Sequence, residues 1–184
     1  MRLFEAKGFE GTTVAEIAAA AGVSHMTFFR HFPTKEDVAL TDDYDPMIAR
    51  LIRARPVEEG PVARVQHGIA EGFSLIYQAD RQTLRRRVGL LLSTASLRAR
   101  LFGNQSSTEA LIAEVIAEDP TFRDDPFGAS VIAAACVGAM TTAIVHWSES
   151  GDGRELPDLM DEAFATLDRH LATPPQGHDD RDGG

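Results

Sequence analysis

Cysteine is almost missing from this 184-residue chain: Cys136 is alone, set in an apolar run. No internal disulfide can form, which suits a reducing compartment and points to the cytoplasm. A charged-then-apolar leader is also lacking, since Met1-Arg2 runs straight into Leu3-Phe4-Glu5. There is no glycine-rich phosphate loop, no metal-spaced His/Cys set and no nucleophile elbow. The thiol of Cys136, among Ala and Val, would be poorly reactive. The expectation is therefore no enzyme, no cofactor and no metal. Strand-like alternation and internal repeats are absent too. The longest uncharged run, Pro126 to Ser148, is mostly Ala, Gly, Thr and Ser. That composition suits a buried or interface helix better than a membrane span, so no membrane partner is expected. Cations are scarce: 18 Lys and Arg stand against 28 Asp and Glu, a net charge of −10.

The informative stretch is Thr13 to Phe32, TVAEIAAAAGVSHMTFFRHF. Thr13 with Glu16 three residues on is a capping box that opens a helix. Val14, Ile17, Ala18 and Ala21 recur on one face of it. Gly22 suits a sharp turn, and Ser24 caps a second helix in which Phe28 and Phe32 point inward. His25, Met26, Thr27 and Phe29 then lie on the open side. A helix presented across another in this way has the geometry that enters a DNA major groove. Spacing alone is equally compatible with an ordinary helical hairpin.

Phe4, Gly8-Phe9, Thr12-Thr13-Val14, Ile17-Ala18, Ala21-Gly22-Val23-Ser24, Thr27, Phe28-Phe29 and Phe32-Pro33-Thr34-Lys35-Glu36 resemble the DNA-binding head of the TetR family. The resemblance implies an all-α protein with an N-terminal helix-turn-helix head and a C-terminal helical body for ligand binding and dimerisation. It implies a homodimeric regulator, usually a repressor of a palindromic operator, released by a small ligand. Matching positions carry DNA contacts onto Thr12, Thr13, Ser24, His25, Met26, Thr27, Phe29, His31 and Lys35. Thr13 and Thr27 would bond phosphates, Lys35 would touch backbone, and His25 and Met26 would face base edges. Phe29 stands where the family usually has a tyrosine, so one phosphate hydrogen bond is forgone. Thr13 and Ser24 could also be caps only.

Two features of the head sit awkwardly with that implication. Residues 1–40 carry four cations against five acids, a net of −1, where phosphate neutralisation normally dominates DNA affinity. The chain also begins inside the family's first helix. An Arg-rich in-frame extension of about 15 to 25 codons is expected upstream. Without it Phe4 and Phe9 should be poorly covered. The alternative function is an all-α ligand-binding or scaffold protein whose shortened head no longer binds DNA.

Helical spacing and caps divide the remainder. Thr34 caps a fourth helix; Thr41-Asp42-Asp43-Tyr44-Asp45-Pro46 interrupts it, and Asp45-Pro46 reads as a fresh cap and first turn running to about Arg55. Further helices follow: Val62 to about Gln78, one capped by Asp80, one from Leu97 to Ile116, one from Asp125-Pro126, and one over Leu156 to Leu171. Whether Gly103-Asn104 breaks the third of these stays open. The expected domains are 1–40 for DNA binding, 41–172 for ligand binding and dimerisation, and a disordered tail over 173–184.

In the body, Phe73, Tyr77, Leu91, Leu92, Phe102, Ile112, Met140 and Trp147 could line a ligand cavity or simply form core. Tyr77, His146 and Trp147 are the candidate polar handles. Residues 81–100 hold Arg81, Arg85, Arg86, Arg87, Arg98 and Arg100 and no acid. These form either a solvated face balanced by Asp42, Asp43, Asp45, Glu58 and Glu59, or a site for an anionic ligand centred on Arg85 and Arg86. From Asp80 to Trp147 the chain is similar to actinobacterial family members with an acyl-CoA-responsive body, including mycofactocin-system regulators. That similarity implies a fatty acyl-CoA effector. By the family's pattern the last two helices pair with their mates, through Ala135, Ala139, Leu159, Met160, Phe164 and Leu167 among others.

Overall fold

The computed structural model describes residues 2–40 and 44–171. Thr41 to Asp43 of the expected interruption and the tail from 173 lie outside them, and Tyr44 to Pro46, expected to complete that interruption, is helical. Among the described residues the chain is all α-helix, with two short 3₁₀ turns and no strand. The order is α1 (Arg2–Lys7), α2 (Val14–Ala20), α3 (His25–His31), α4 (Lys35–Leu40), α5 (Tyr44–Ala54), α6 (Pro61–Ser93), α7 (Ala95–Ala117), α8 (Pro126–Glu149) and α9 (Leu156–Leu171).

Local chemistry sets most of the boundaries. Pro61 opens α6 at a position where its missing N–H costs nothing. Asp80 leaves helical geometry at φ −160°, ψ 81°, and its carboxylate accepts the Thr83 N–H at 2.9 Å. Asp80 therefore caps the second half of a kinked helix, as its sequence context predicts. Asp125 caps α8 by accepting the Gly128 N–H at 2.7 Å. α7 is continuous through Gly103-Asn104. One expected cap is overturned. α5 starts at Tyr44, so Asp45 sits inside its first turn, and its carboxylate accepts the Thr108 hydroxyl at 2.8 Å. Pro46 at the third helical position still forfeits only an N–H that has no intrahelical partner.

The main core joins α5 to α9. Ile48, Ile52, Val65, Ile69, Ile112, Val137, Trp147, Leu156, Met160 and Phe164 are all buried within it. α5 lies against α6, and α8 lies between α7 and α9. At the α5–α6 crossing, Gly68 and Gly72 let the helices close; a Cβ on Gly68 would meet Ile52 Cγ1 at 2.6 Å and its Cα and N at 2.9 Å. α8 is long and apolar enough to cross a bilayer, and a third of that stretch is buried in the single chain. Phe127, Val131, Ala134 and Thr142 are exposed along its outer side.

A second apolar cluster links the ends of the molecule. Phe4 of α1, Phe9 of the turn that follows it and Ala39 of α4 pack with Leu91 and Leu97 of α6 and α7. The Phe4 and Phe9 ring centres lie 5.2 Å apart, tilted at 43°, and the two residues are 5% and 3% exposed. Poor coverage of these rings is thus corrected: the body covers them.

Candidate DNA-binding head and effector cavity

The head is held by reciprocal caps. The Thr13 N–H donates to Glu16 at 2.9 Å and the Glu16 N–H to Thr13 Oγ1 at 3.3 Å, which starts α2. The Lys7 ammonium also donates to Glu16, and with the Thr13 hydrogen bonds it lowers that carboxyl to about 2. Gly22, at φ +67°, makes the turn that an L side chain would resist. The Ser24 hydroxyl accepts the Thr27 N–H at 3.1 Å and shares a 2.9 Å hydrogen bond with the Thr27 hydroxyl, which starts α3. α4 repeats the device, Thr34 and Asp37 bonding each other through N–H, hydroxyl and carboxylate. Burial works against the Asp37 carboxylate, but the Thr34 hydrogen bonds and Arg100 outweigh it and hold its pKa below the ordinary value.

This scaffold turns one side of α3 outward. Met26 is 84% exposed, Phe29 is 41% exposed with its ring against His25 at 4.7 Å, and Phe28 is buried beneath. Thr13, Ser24, His25 and His31 are exposed and Thr27 is half-buried. Two residues carried over as DNA contacts are otherwise occupied. Thr12 is 1% exposed and donates to the Gly8 carbonyl at 2.7 Å, so it is a strut inside the head and cannot reach a phosphate. Lys35 donates to the Phe9 carbonyl at 2.7 Å with its ammonium 4.3 Å from the Phe9 ring centre. Part of its donor capacity is spent within the chain.

The arginine cluster disperses. Arg86 pairs with Glu5 of α1 at 3.1 Å. Arg87 donates to the carbonyls of Ala39 and Leu40, at 3.1 and 3.2 Å. Arg100 reaches Thr34 at 2.6 Å and Asp37 at 2.9 Å. Three arginines of the body therefore grip α1 and both ends of α4. Three of the head's five acids, Glu5, Glu36 and Asp37, pair with them, which offsets much of the head's acidity. Arg81 pairs with Glu155 at 2.5 Å, and Arg85 lies over the Trp147 indole at 5.5 Å. Arg85 and Arg86 thus face different partners and form no common anion site.

Between α5, α6, α7 and α8 lies a cavity of about 210 Å³. Phe73, Leu91, Leu92, Phe102 and Met140 are on its wall, as candidate ligand residues should be. Tyr77, Ile112, His146 and Trp147 are not. Tyr77 donates to Glu155, His146 pairs with Asp152 at 2.9 Å, and Trp147 and Ile112 are buried in the main core. The wall also carries Tyr44, Asn104, Gln105 and Thr108, which sequence reasoning missed, together with Arg87 of the arginine run and Asp45, expected as a cap. With Thr141 they are the polar side chains of an otherwise apolar wall.

Residues 1–40 match the family model described as bacterial regulatory proteins, tetR family, and residues 59–172 match the MftR C-terminal domain. The chain belongs to the TetR family. It is a transcriptional regulator and not an enzyme. TcmR of Streptomyces glaucescens, an HTH-type transcriptional regulator, is 33% identical over 149 residues, 73% of this chain. The chain spans 63% of the length of that relative. The putative mycofactocin biosynthesis transcriptional regulator MftR of Mycobacterium tuberculosis is 24% identical over 92% of this chain and 87% of its own length. Among solved structures, FadR of Thermus thermophilus, a TetR-family repressor in complex with lauroyl-CoA, superposes with a TM-score of 0.59. It is 26% identical and covers all of this chain and 95% of its own. A regulator from Aquifex aeolicus shares the fold at a TM-score of 0.53 and 21% identity, over 91% of this chain and 92% of its own.

Among the α9 residues named for dimerisation, Leu159, Met160 and Phe164 are 6%, 1% and 5% exposed in the single chain. They belong to the protomer's own core, a correction with a simple cause: a periodic stripe shows that a face is covered, not by which chain. Ala135, Ala139 and Leu167 remain half-buried.

Proposed function

We propose that this TetR-family regulator is a homodimeric repressor of a palindromic operator, released when an amphipathic small molecule fills the body. The observation that carries the reading is the outward face of α3, with Met26, His25 and Phe29 exposed on a capped, clamped head above a cavity. Val23, Met26 and Phe29 are all exposed on this part of the head, and grouped apolar exposure of that kind marks interaction surfaces. The family places a DNA groove there. Residues 1–40 form the DNA-binding unit and 41–172 the effector and dimer unit, with 173–184 a tail. The site of action is cytoplasmic, where the operator is.

For the effector, a fatty acyl-CoA is the leading class. The cavity wall is mostly apolar and carries several polar side chains, and the relative from T. thermophilus is in complex with lauroyl-CoA. No cofactor or metal is invoked. For the dimer, the exposed stripe Phe127, Val131, Ala134 and Thr142 on α8, flanked by Ala135 and Ala139, offers small residues for close approach of a second copy.

The test is a gel shift of the DNA upstream of the protein's own gene, with and without lauroyl-CoA. Retarded DNA that lauroyl-CoA releases supports the reading; no retardation at micromolar protein would favour a body whose head has lost DNA binding. Val131→Arg, at a half-exposed position, should give a folded monomer in sedimentation.

A further inference from the structure

We infer that the head reads its operator through thymine methyl groups, with Met26 as the residue that meets them. The inference rests on the operator-binding reading above and names what that face recognises.

The part of a recognition helix that meets base edges is its N-terminal half. Here that stretch is Gly22 to Phe29, GVSHMTFF, and it holds no Arg, Lys, Asn, Gln, Asp or Glu. The two-pronged cations that pick out guanine and the amides that pick out adenine are therefore missing from the reading end. The polar groups that remain discriminate poorly. The Ser24 and Thr27 hydroxyls bond each other at 2.9 Å, and Ser24 also accepts the Thr27 N–H, so both are tied to starting α3. His25 is exposed and can donate a ring N–H to a purine N7. That single bond does not separate guanine from adenine, because both carry the same acceptor.

What the face does present is apolar. Val23, Met26 and Phe29 are exposed together, and Met26 is the most open large apolar side chain among the described residues. Phe29 is fixed from two sides, edge-on to His25 and edge-on to the buried Phe28 with ring centres 5.4 Å apart. Met26, unbranched and polarisable, can adapt its shape beside that fixed ring. In the major-groove code the apolar feature is the thymine C5-methyl. A face with an apolar tip and no two-pronged polar group fits that methyl and no other base edge.

The charge of the head raises the weight of this contact. Of its four Lys and Arg residues, Lys7 is engaged by Glu16 and Lys35 by the Phe9 carbonyl. Phosphate neutralisation therefore supplies less of the affinity than in a basic head, and contact with base edges supplies more.

The experiment compares two duplexes of one sequence by fluorescence anisotropy, with the full chain in low salt. The sequence is the stretch of the gene's own upstream DNA that the protein retards or, where none is retarded, one enriched from a random-sequence pool. One duplex carries thymine. In the other, deoxyuridine replaces every thymine, which removes the methyl groups and keeps every hydrogen-bonding edge. Losing one buried methyl costs about fourfold in affinity, and a second head doubles the number of methyls read. Wild type should bind the deoxyuridine duplex at least tenfold more weakly. Met26→Ala should bind the thymine duplex at least fivefold more weakly and lose less than threefold further on deoxyuridine. Met26→Leu restores an apolar side chain and should recover the tenfold sensitivity, a pattern that a merely structural Met26 would not give. Wild type binding both duplexes within threefold overturns the inference while operator binding stands. Met26→Ala as sensitive to deoxyuridine as wild type also overturns it, because the methyls then act through DNA shape and not through this side chain. No duplex bound from either source overturns operator binding and the inference together.

Discussion

The α5–α6 crossing allows one substitution to be changed in steps along a single helix. Gly68, Gly72 and Gly89 all lie inside α6, so replacing any of them with Ala gains similar helix propensity, about 1 kcal/mol. They differ in what the new methyl group meets. At Gly89 nothing lies within 4 Å. At Gly72 the nearest atoms are Ile48 Cγ1 at 2.8 Å and Leu51 Cδ1 at 3.4 Å, both on side chains. At Gly68 two of the three nearest atoms are Ile52 backbone, at 2.9 Å. A side chain can turn away, but a backbone cannot move without parting the helices. Overpacking costs about 1 to 3 kcal/mol, and Gly68 belongs at the top of that range. Subtracting the propensity gain, Gly68→Ala should lose about 2 kcal/mol, Gly72→Ala should be near neutral, and Gly89→Ala should gain up to about 1 kcal/mol. Urea unfolding followed by far-UV circular dichroism at fixed protein concentration measures all three. If Gly68→Ala proved as stable as Gly89→Ala, the claim that these glycines set the helix spacing would be wrong.

Other consequences can be checked on the same protein. Met26→Ala, at an 84% exposed position, should leave the melting temperature within about 2 °C and weaken operator binding at least fivefold in a gel shift. Acid should loosen the head early. Glu16 has a folded-state pKa of about 2 against an ordinary 4.5, so its stabilising contribution is full above 4.5 and is lost as pH falls towards 2. Asp37, also lowered, acts in the same direction, and Glu16→Gln should flatten part of the decline in helicity between pH 5 and 2 as followed by circular dichroism. Burial pushes the Cys136 thiol up to about 12, so a thiol reagent at pH 8 should label native protein far more slowly than protein in urea.

What could be read beforehand was local. The Thr13–Glu16 box, the turn at Gly22, the cap at Ser24 and the kink at Asp80 each depend on residues within a few positions, and all form as their spacing predicts. What escaped was long-range or two-sided. The carbonyls that Arg87 holds and the hydroxyl that Arg100 holds lie 47 to 66 residues away, so a run of arginines that could be read as a solvated face or an anion site sends Arg86, Arg87 and Arg100 to the head and Arg81 and Arg85 to the body. Thr12 looked available because its type is polar; in place, its hydroxyl bonds back to a carbonyl four residues earlier. Asp45 before Pro46 looked like a cap, and Thr108 claims it instead. The cavity's apolar wall was partly visible in Phe73, Leu91, Phe102 and Met140. Its polar side chains were not grouped, because they come from different helices.

The cluster of Phe4, Phe9 and Ala39 with Leu91 and Leu97 has a thermodynamic consequence. A head of four helices, none longer than seven residues, is too small to be stable by itself. It borrows the body's apolar surface, so the two halves share one folding equilibrium and should melt in a single calorimetric transition. Anything that binds α3 then stabilises α6 and α7 as well. Operator DNA would act on this protein as a folding ligand for the whole chain, raising the melting temperature of helices it never touches.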